Sequence, residues 1–272
     1  MIQINQCNFS YPGTKKKVFE DFSLTIGKGG IYGLLGKNGS GKSTLLYLLS
    51  GLLHAQSGEV MINGCNMRLR KASVLADIFI VPEEYTLPSM SLKSFVHMQR
   101  MFYPRFSETQ FYGCLNDFGL SADFHMRELS MGQKKKVYMS MALSVGTSLV
   151  LMDEPTNGLD IPSKSLFRKV VSANMRDDST FLISTHQVHD IEALLDHVII
   201  ISPQGVLLDS SVEDLSRRYD FLTLSPGEDT TDAIYVEPSL LGCKAVFPHK
   251  EGGEETPVDI ELLFSSLTNG NV

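Results

Sequence analysis

The stretch Gly36-Lys37-Asn38-Gly39-Ser40-Gly41-Lys42-Ser43-Thr44 constrains this chain more than any other part of it. It fits the spacing G-x-x-x-x-G-K-[ST]. Before it, Ile31-Tyr32-Gly33-Leu34-Leu35 is a short apolar run of the kind found in buried parallel strands. After it, Leu45, Leu46, Leu48, Leu49, Leu52 and Leu53 recur at helical spacing and are expected to fill one apolar face. Strand, glycine loop and helix together form a phosphate cradle. The glycines let the backbone wrap closely round an anion. Backbone N–H groups and the positive helix N-terminus face the phosphates. Lys42 brings a full positive charge to the β- and γ-phosphate oxygens, and Ser43 offers a hydroxyl to Mg²⁺. The expected phosphate-binding set is Gly36, Asn38, Gly39, Ser40, Gly41, Lys42, Ser43 and Thr44. A glycine-rich turn with an exposed lysine is the bland alternative, and the flanks argue against it.

The rest of the chain supplies the sheet that such a loop needs. Residues 1 to about 28 hold two period-two patterns, Ile2 and Ile4, then Phe22, Leu24 and Ile26, expected to pair as antiparallel strands around a turn at Pro12-Gly13-Thr14. A further short strand over residues 57–64, ending in the Asn63-Gly64 turn, is expected to join them. Apolar runs at residues 78–81, 148–152, 181–184 and 198–201 alternate with helical patterns, including expected helices over 162–175 and around 188–195. That alternation implies an α/β fold with a mostly parallel sheet and helices on both faces. Residues from about 91 to 145 lack strand alternation and read as a helical subdomain, broken once at Pro104. Within it Met131, Met139 and Met141 read as core filling. From about residue 216 the character changes, with polar turns, short strands over 233–236 and 243–247, and a helix over 258–267. The expected organisation is a P-loop nucleotide hydrolase domain over 1–215, with an N-terminal antiparallel β subdomain and a helical subdomain, then a small C-terminal accessory region over 216–272.

Composition narrows the setting. A net charge of −7 argues against nucleic acid as a partner, because basic patches carry most of such affinity. The cysteines Cys7, Cys65, Cys114 and Cys243 are scattered without a C-x-x-C pair, so neither a zinc site nor a disulfide framework is signalled. No basic segment followed by an apolar stretch opens the sequence, and no apolar run approaches the roughly 20 residues of a spanning helix. Any work at a membrane is expected to need another chain to cross it.

Polar groups gather at four strand ends: the 36–44 loop, Glu83, Asp153-Glu154 and His186. In open α/β sheets ligands bind outside the carboxyl ends of strands. Nucleotide hydrolysis needs a phosphate cradle, a metal holder, a group that activates water and a sensor of the γ-phosphate. Asp153 suits the metal role. Glu154 beside it suits a general base, which is worth roughly 10²–10⁴ in rate. His186, alone, would read as structural; at the end of a neighbouring strand it joins the same site.

Leu129-Ser130-Met131-Gly132-Gln133 matches the signature LSxGQ, and with it the chain resembles an ATP-binding cassette (ABC) ATPase over roughly residues 1–215. Asn157-Gly158-Leu159-Asp160 resembles the family's D-loop, and His186 its switch histidine. The resemblance implies ATP and Mg²⁺ as cofactors. It makes Tyr11 the aromatic that stacks on adenine, a contact worth about 1–3 kcal/mol per base. It gives Ser43, Asp153 and Glu83 to the metal, and Lys42, Glu83, Glu154 and His186 to catalysis. It also implies that two subunits pack head to tail, with Ser130, Gly132, Gln133 and Asp160 completing the nucleotide site of the other copy through a second helix N-terminus. One position departs from the pattern. The family usually carries glutamine where this chain has Glu83, expected here to substitute for it.

The resemblance further implies an ATPase subunit bound to a separate transmembrane permease, cytoplasmic and peripheral on the inner face of the cell membrane. Met101-Phe102-Tyr103-Pro104-Arg105-Phe106, Lys134-Lys135-Lys136 and the segment 258–264 look like the bacterial drug- and antibiotic-type exporters. The alternative is a soluble ABC ATPase that assembles or remodels a macromolecular partner without a permease. A nucleotide-regulated binding module without turnover is disfavoured by Glu154 and His186.

Overall fold

The computed structural model describes residues 1–84, 86, 88–250 and 252–269. The chain opens with β1 (Ile2–Ser10) and β2 (Lys17–Ile26), then β3 (Gly30–Leu35), the glycine loop and α1 (Lys42–Leu49). Next come β4 (Ser57–Ile62), β5 (Cys65–Asn66), the single turn α2 (Ala72–Leu75) and β6 (Ile78–Val81). Three helices follow, α3 (Leu92–Phe102), α4 (Glu108–Asp117) and α5 (Met131–Ser144), then β7 (Leu149–Asp153), α6 (Ile161–Asn174), β8 (Thr180–Thr185) and β9 (His197–Ser202). The chain closes with β10 (Gly205–Ser211), α7 (Val212–Arg218), β11 (Tyr219–Leu224), β12 (Tyr235–Ser239), β13 (Gly242–Pro248) and α8 (Ile260–Asn269).

Among the described residues the central sheet has six strands in the order β10-β9-β3-β8-β7-β6. The pairs β9–β3, β3–β8, β8–β7 and β7–β6 are parallel, and only β10 runs antiparallel at the edge. The expected apolar runs are these strands. They are continuous rather than alternating because both faces are covered. One face packs on α1 and on an antiparallel sheet, β2-β1-β4-β5, through Ile4, Phe22, Leu34, Leu45, Leu49, Leu151 and Leu182. The other face packs on the helices through Val150, Met152, Ile183, Val137, Met141 and Phe167. Burial of these side chains, at roughly 1.5–3 kcal/mol each, is what fixes the parallel register and hence the alignment of the strand ends.

The structure revises several local expectations. The helix after the glycine loop stops at Leu49, capped by Ser50 and followed by Gly51 at φ 71°. Leu52 therefore leaves the apolar face and is 58 % exposed. Residues 188–195 form two 3₁₀ turns, Val188–Asp190 and Glu192–Leu194, instead of a helix. Ile191, at φ −130°, breaks the run, while Val188, Ile191 and Leu195 stay buried in one core. Met139 and Met141 are core residues, but Met131 is 61 % exposed. It sits at the first position of α5, where the apolar face has not yet turned inward. The C-terminal sheet, in the order β11-β13-β12, includes the additional strand β11, and α7 runs across residue 215.

Candidate functional site

The carboxyl ends of β3, β7 and β8 and the segment after β6 converge on a cavity of about 540 Å³. It is lined by Tyr11, Asn38, Gly39, Gly41, Lys42, Ser43 and Thr44 on one side, and by Glu83, Glu154, Asn157 and His186 on the other. Gly41 is the N-cap of α1 at φ 101°, a conformation that L side chains rarely adopt. A Cβ there would also strike the Phe19 ring at 2.8 Å. Gly36 and Ser40 lie behind the loop and do not line the cavity. The Lys42 ammonium is folded back onto its own loop, donating to Gly36 O at 2.7 Å and Lys37 O at 3.5 Å. Burial pushes its pKa down, and the carboxylates of Glu154, Asp153 and Glu83 pull it back up. The Tyr11 hydroxyl meets Thr44 Oγ1 at 3.0 Å, and its ring lies edge-on to Phe9. These contacts hold the ring at the cavity wall.

Glu154 is 6 % exposed and has a left-handed backbone, φ 45°. Its Oε1 meets His186 Nδ1 at 2.8 Å, and its Oε2 accepts from Thr185 Oγ1 at 3.1 Å. The amide of Glu154 donates to Ser184 O at 3.0 Å. Glu83 Oε1 accepts from Asn157 Nδ2 at 2.9 Å, which ties the end of β6 to the loop after β7.

Asp153 is buried, with Oδ1 accepting from the Ser184 hydroxyl and Oδ2 lacking a hydrogen bond of good geometry. Burial holds its carboxyl above the ordinary range; the hydroxyls of Ser184 and Ser43 oppose that shift, and Glu83 and Glu154 add to it. Among the described residues no three His, Cys, Asp or Glu side chains are grouped to hold a metal by themselves. One spare carboxylate oxygen near one serine hydroxyl is instead a donor set for Mg²⁺, which binds through one or two protein ligands plus substrate phosphates.

The remaining expected residues lie elsewhere in this chain. Ser130 is the N-cap of α5 and forms a reciprocal box with Gln133: Ser130 N–H donates to Gln133 Oε1 at 2.9 Å, and Gln133 N–H donates to Ser130 Oγ at 3.3 Å. The N–H groups of Met131 and Gly132 are then the ones without an intrahelical partner. Asp160 caps α6 through Ser163 N–H at 2.9 Å. None of Ser130, Gly132, Gln133 or Asp160 lines the cavity.

Two features were not legible in the sequence. Within Lys134-Lys135-Lys136 only Lys135 is buried, and it donates to the carbonyls of Glu154 and Asn157. A run of identical charges hides which member turns inward. Lys37, inside the glycine loop, donates to Thr268 O at 3.1 Å and Asn269 Oδ1 at 2.9 Å at the end of α8, a contact 231 and 232 residues distant in sequence.

The sequence profile of the family described as ABC transporter matches residues 19–157. The ABC transporter ATP-binding protein YtrB of Bacillus subtilis is 29 % identical over 236 residues, covering 86 % of this chain and 80 % of that protein. NatA of the same organism, also an ABC transporter ATP-binding protein, is 31 % identical over 227 residues, covering 79 % and 91 %. A solved dimeric ATP-binding cassette, in a post-hydrolysis state bound to ADP and Pi, superposes with a TM-score of 0.67 at 21 % identity, covering 78 % of this chain and 98 % of that one.

Proposed function

Because the chain belongs to the ABC transporter family, we propose that it is the ATP-hydrolysing subunit of a membrane transporter, acting as a head-to-tail dimer on a permease carried by another chain. One observation carries the reading: the Glu154–His186 pair, 2.8 Å apart, at the wall of a cavity whose opposite wall is the glycine loop. A carboxylate held by a histidine beside a phosphate cradle is a water-activating arrangement. The relatives named as ATP-binding transporter proteins support the transporter role.

In this proposal the adenine stacks on Tyr11, held in place by Thr44. Lys42 exchanges Gly36 O for the β- and γ-phosphate oxygens. Ser43, Asp153 and Glu83 would hold Mg²⁺, which would supply charge neutralisation on the phosphates. Glu154 accepts a proton as the water oxygen bonds to the γ-phosphorus and the bond to the β–γ bridging oxygen breaks, giving ADP and phosphate. His186 orients the carboxylate through Oε1. Ser130, Gly132, Gln133 and Asp160 act on the nucleotide of the second copy, which agrees with their position outside the cavity of their own chain. Hydrolysis then removes the ligand that holds the two copies together.

Residues 1–215 form the cassette, with 91–145 as its helical subdomain, and 216–272 form an accessory region. The permease places the subunit at the inner face of the cell membrane. The segments 101–106 and 258–264 favour an exporter. Glu154→Gln tests the mechanism: with ATP and Mg²⁺ it is expected to retain nucleotide binding, lose turnover by about 10²-fold or more, and elute as a dimer on gel filtration. Turnover at the wild-type rate would remove Glu154 from the role of base.

A further inference from the structure

Glu154 begins the turn Glu154-Pro155-Thr156-Asn157, closed by Asn157 N–H donating to Glu154 O at 3.2 Å. The first residue of that turn has φ 45°, a left-handed conformation that glutamate adopts only when its surroundings impose it. Its amide is held by Ser184 O. The carbonyl is held from the opposite side by a residue of another element, since Lys135 Nζ reaches Glu154 O at 3.3 Å and also donates to Asn157 O. One ammonium thus grips the carbonyls at both ends of the turn.

Lys135 does so from a buried position, 5 % exposed, in the second turn of α5. Placing a lysine there is costly unless its charge is answered. The answer is local: the carboxylates of Glu83 and Glu154 both act on it. Asn157 completes the set by donating its side chain to Glu83 while its carbonyl receives Lys135. A hydrophobic residue of similar length would fill this space without the desolvation cost. The retained charge is therefore placed for the turn and for Glu154.

We infer that Lys135 is a positioning residue for hydrolysis, which holds the Glu154 turn in its left-handed form and fastens it to the helix that begins at Ser130. Its side chain does not line the cavity. Through it, a displacement of the start of α5 when a second copy closes moves the carboxylate of its own site. The inference rests on the proposed role of Glu154 as base.

The test uses the full chain with ATP and Mg²⁺. Lys135→Met is expected to lower kcat by about 10²-fold, as a misplacement near 1 Å does, while its apparent KM for ATP stays within about threefold because no binding contact is removed. Lys135→Arg, which keeps donors at the end of the stem, is expected to recover part of the loss. Introduced into Glu154→Gln, Lys135→Met is expected to reduce the residual turnover no further, since both changes act on one group. Lys135→Gln carries the same comparisons if the methionine variant fails to fold. Wild-type kcat in the neutral variants overturns the inference, and so does an additional loss of about tenfold in the Glu154→Gln background. A fully active Glu154→Gln would instead remove the reading beneath it. An inactive Glu154→Gln beside an unaffected Lys135→Met removes this inference alone.

Discussion

At Glu83 the difference between a carboxylate and an amide is a donor and a charge. Its Oε1 accepts from Asn157 Nδ2, and a glutamine carbonyl at the same place accepts equally well. Glu83→Gln is therefore expected to keep turnover within about an order of magnitude of the wild type, because the bond across to the 154–157 turn survives. Loss of all turnover with ATP binding intact would give Glu83 a role that an amide cannot fill. Lys42→Ala is expected to abolish nucleotide binding in an equilibrium titration, since its ammonium is the one full positive charge of the glycine loop that lines the cavity. The thiols separate by burial. Cys7 is pushed to about 11 and Cys114 to about 12, so both keep their protons at neutral pH, whereas Cys65 and Cys243 are partly exposed. Alkylation of the native protein at pH 8 followed by mass spectrometry is expected to label Cys65 and Cys243 and spare the other two. The residues that converge on the cavity were legible because motif spacing encodes strand ends. Lys135 was not, because only packing distinguishes it from Lys134 and Lys136.

Among the elements, α8 links the C-terminal sheet, the turn after His186 and the glycine loop. Its buried residues Ile260 and Leu263 join the main core, and it packs against the turn Val188–Asp190 just after His186. Its far end meets Lys37 of the glycine loop, a cation favourably placed at a helix C-terminus. Leu263→Ala is expected to cost about 2–5 kcal/mol in urea unfolding, as buried leucines do. Lys37→Ala, at an exposed contact, is expected to cost no more than about 1 kcal/mol. A reversed order would mean that the helix is held by its tip and not by its face. Apolar spacing predicted the helix itself. Its partner was hidden, since no local pattern links residue 37 to residue 268. The same limit applies to residues 188–195, where helical spacing of Val188, Ile191 and Leu195 was satisfied by two 3₁₀ turns.

For the whole molecule, the proposed dimer gives Gly132 a role that its own chain does not. Among the described residues a Cβ at this helical position would meet only Leu159 Cδ2, at 4.0 Å, and none of them requires glycine here. Alanine would favour the helix by up to about 1 kcal/mol. Gly132→Ala is accordingly expected to melt at or above the wild-type temperature, yet to lose the ATP-induced dimer expected on gel filtration in the Glu154→Gln background. An undiminished dimer would mean that nothing approaches this glycine closely. The left-handed backbone of Glu154 carries the opposite consequence. Such a conformation costs roughly 1–2 kcal/mol in a residue with a Cβ, and the side chain adds a carboxylate near Asp153 and Glu83. The residue proposed as the base thus holds a backbone conformation that costs the fold stability. On the proposed role, heat resistance and turnover make opposite demands on this backbone, and relatives adapted to higher temperature are expected to keep the glutamate and stiffen the shell of Ser184, Thr185 and Lys135 around it.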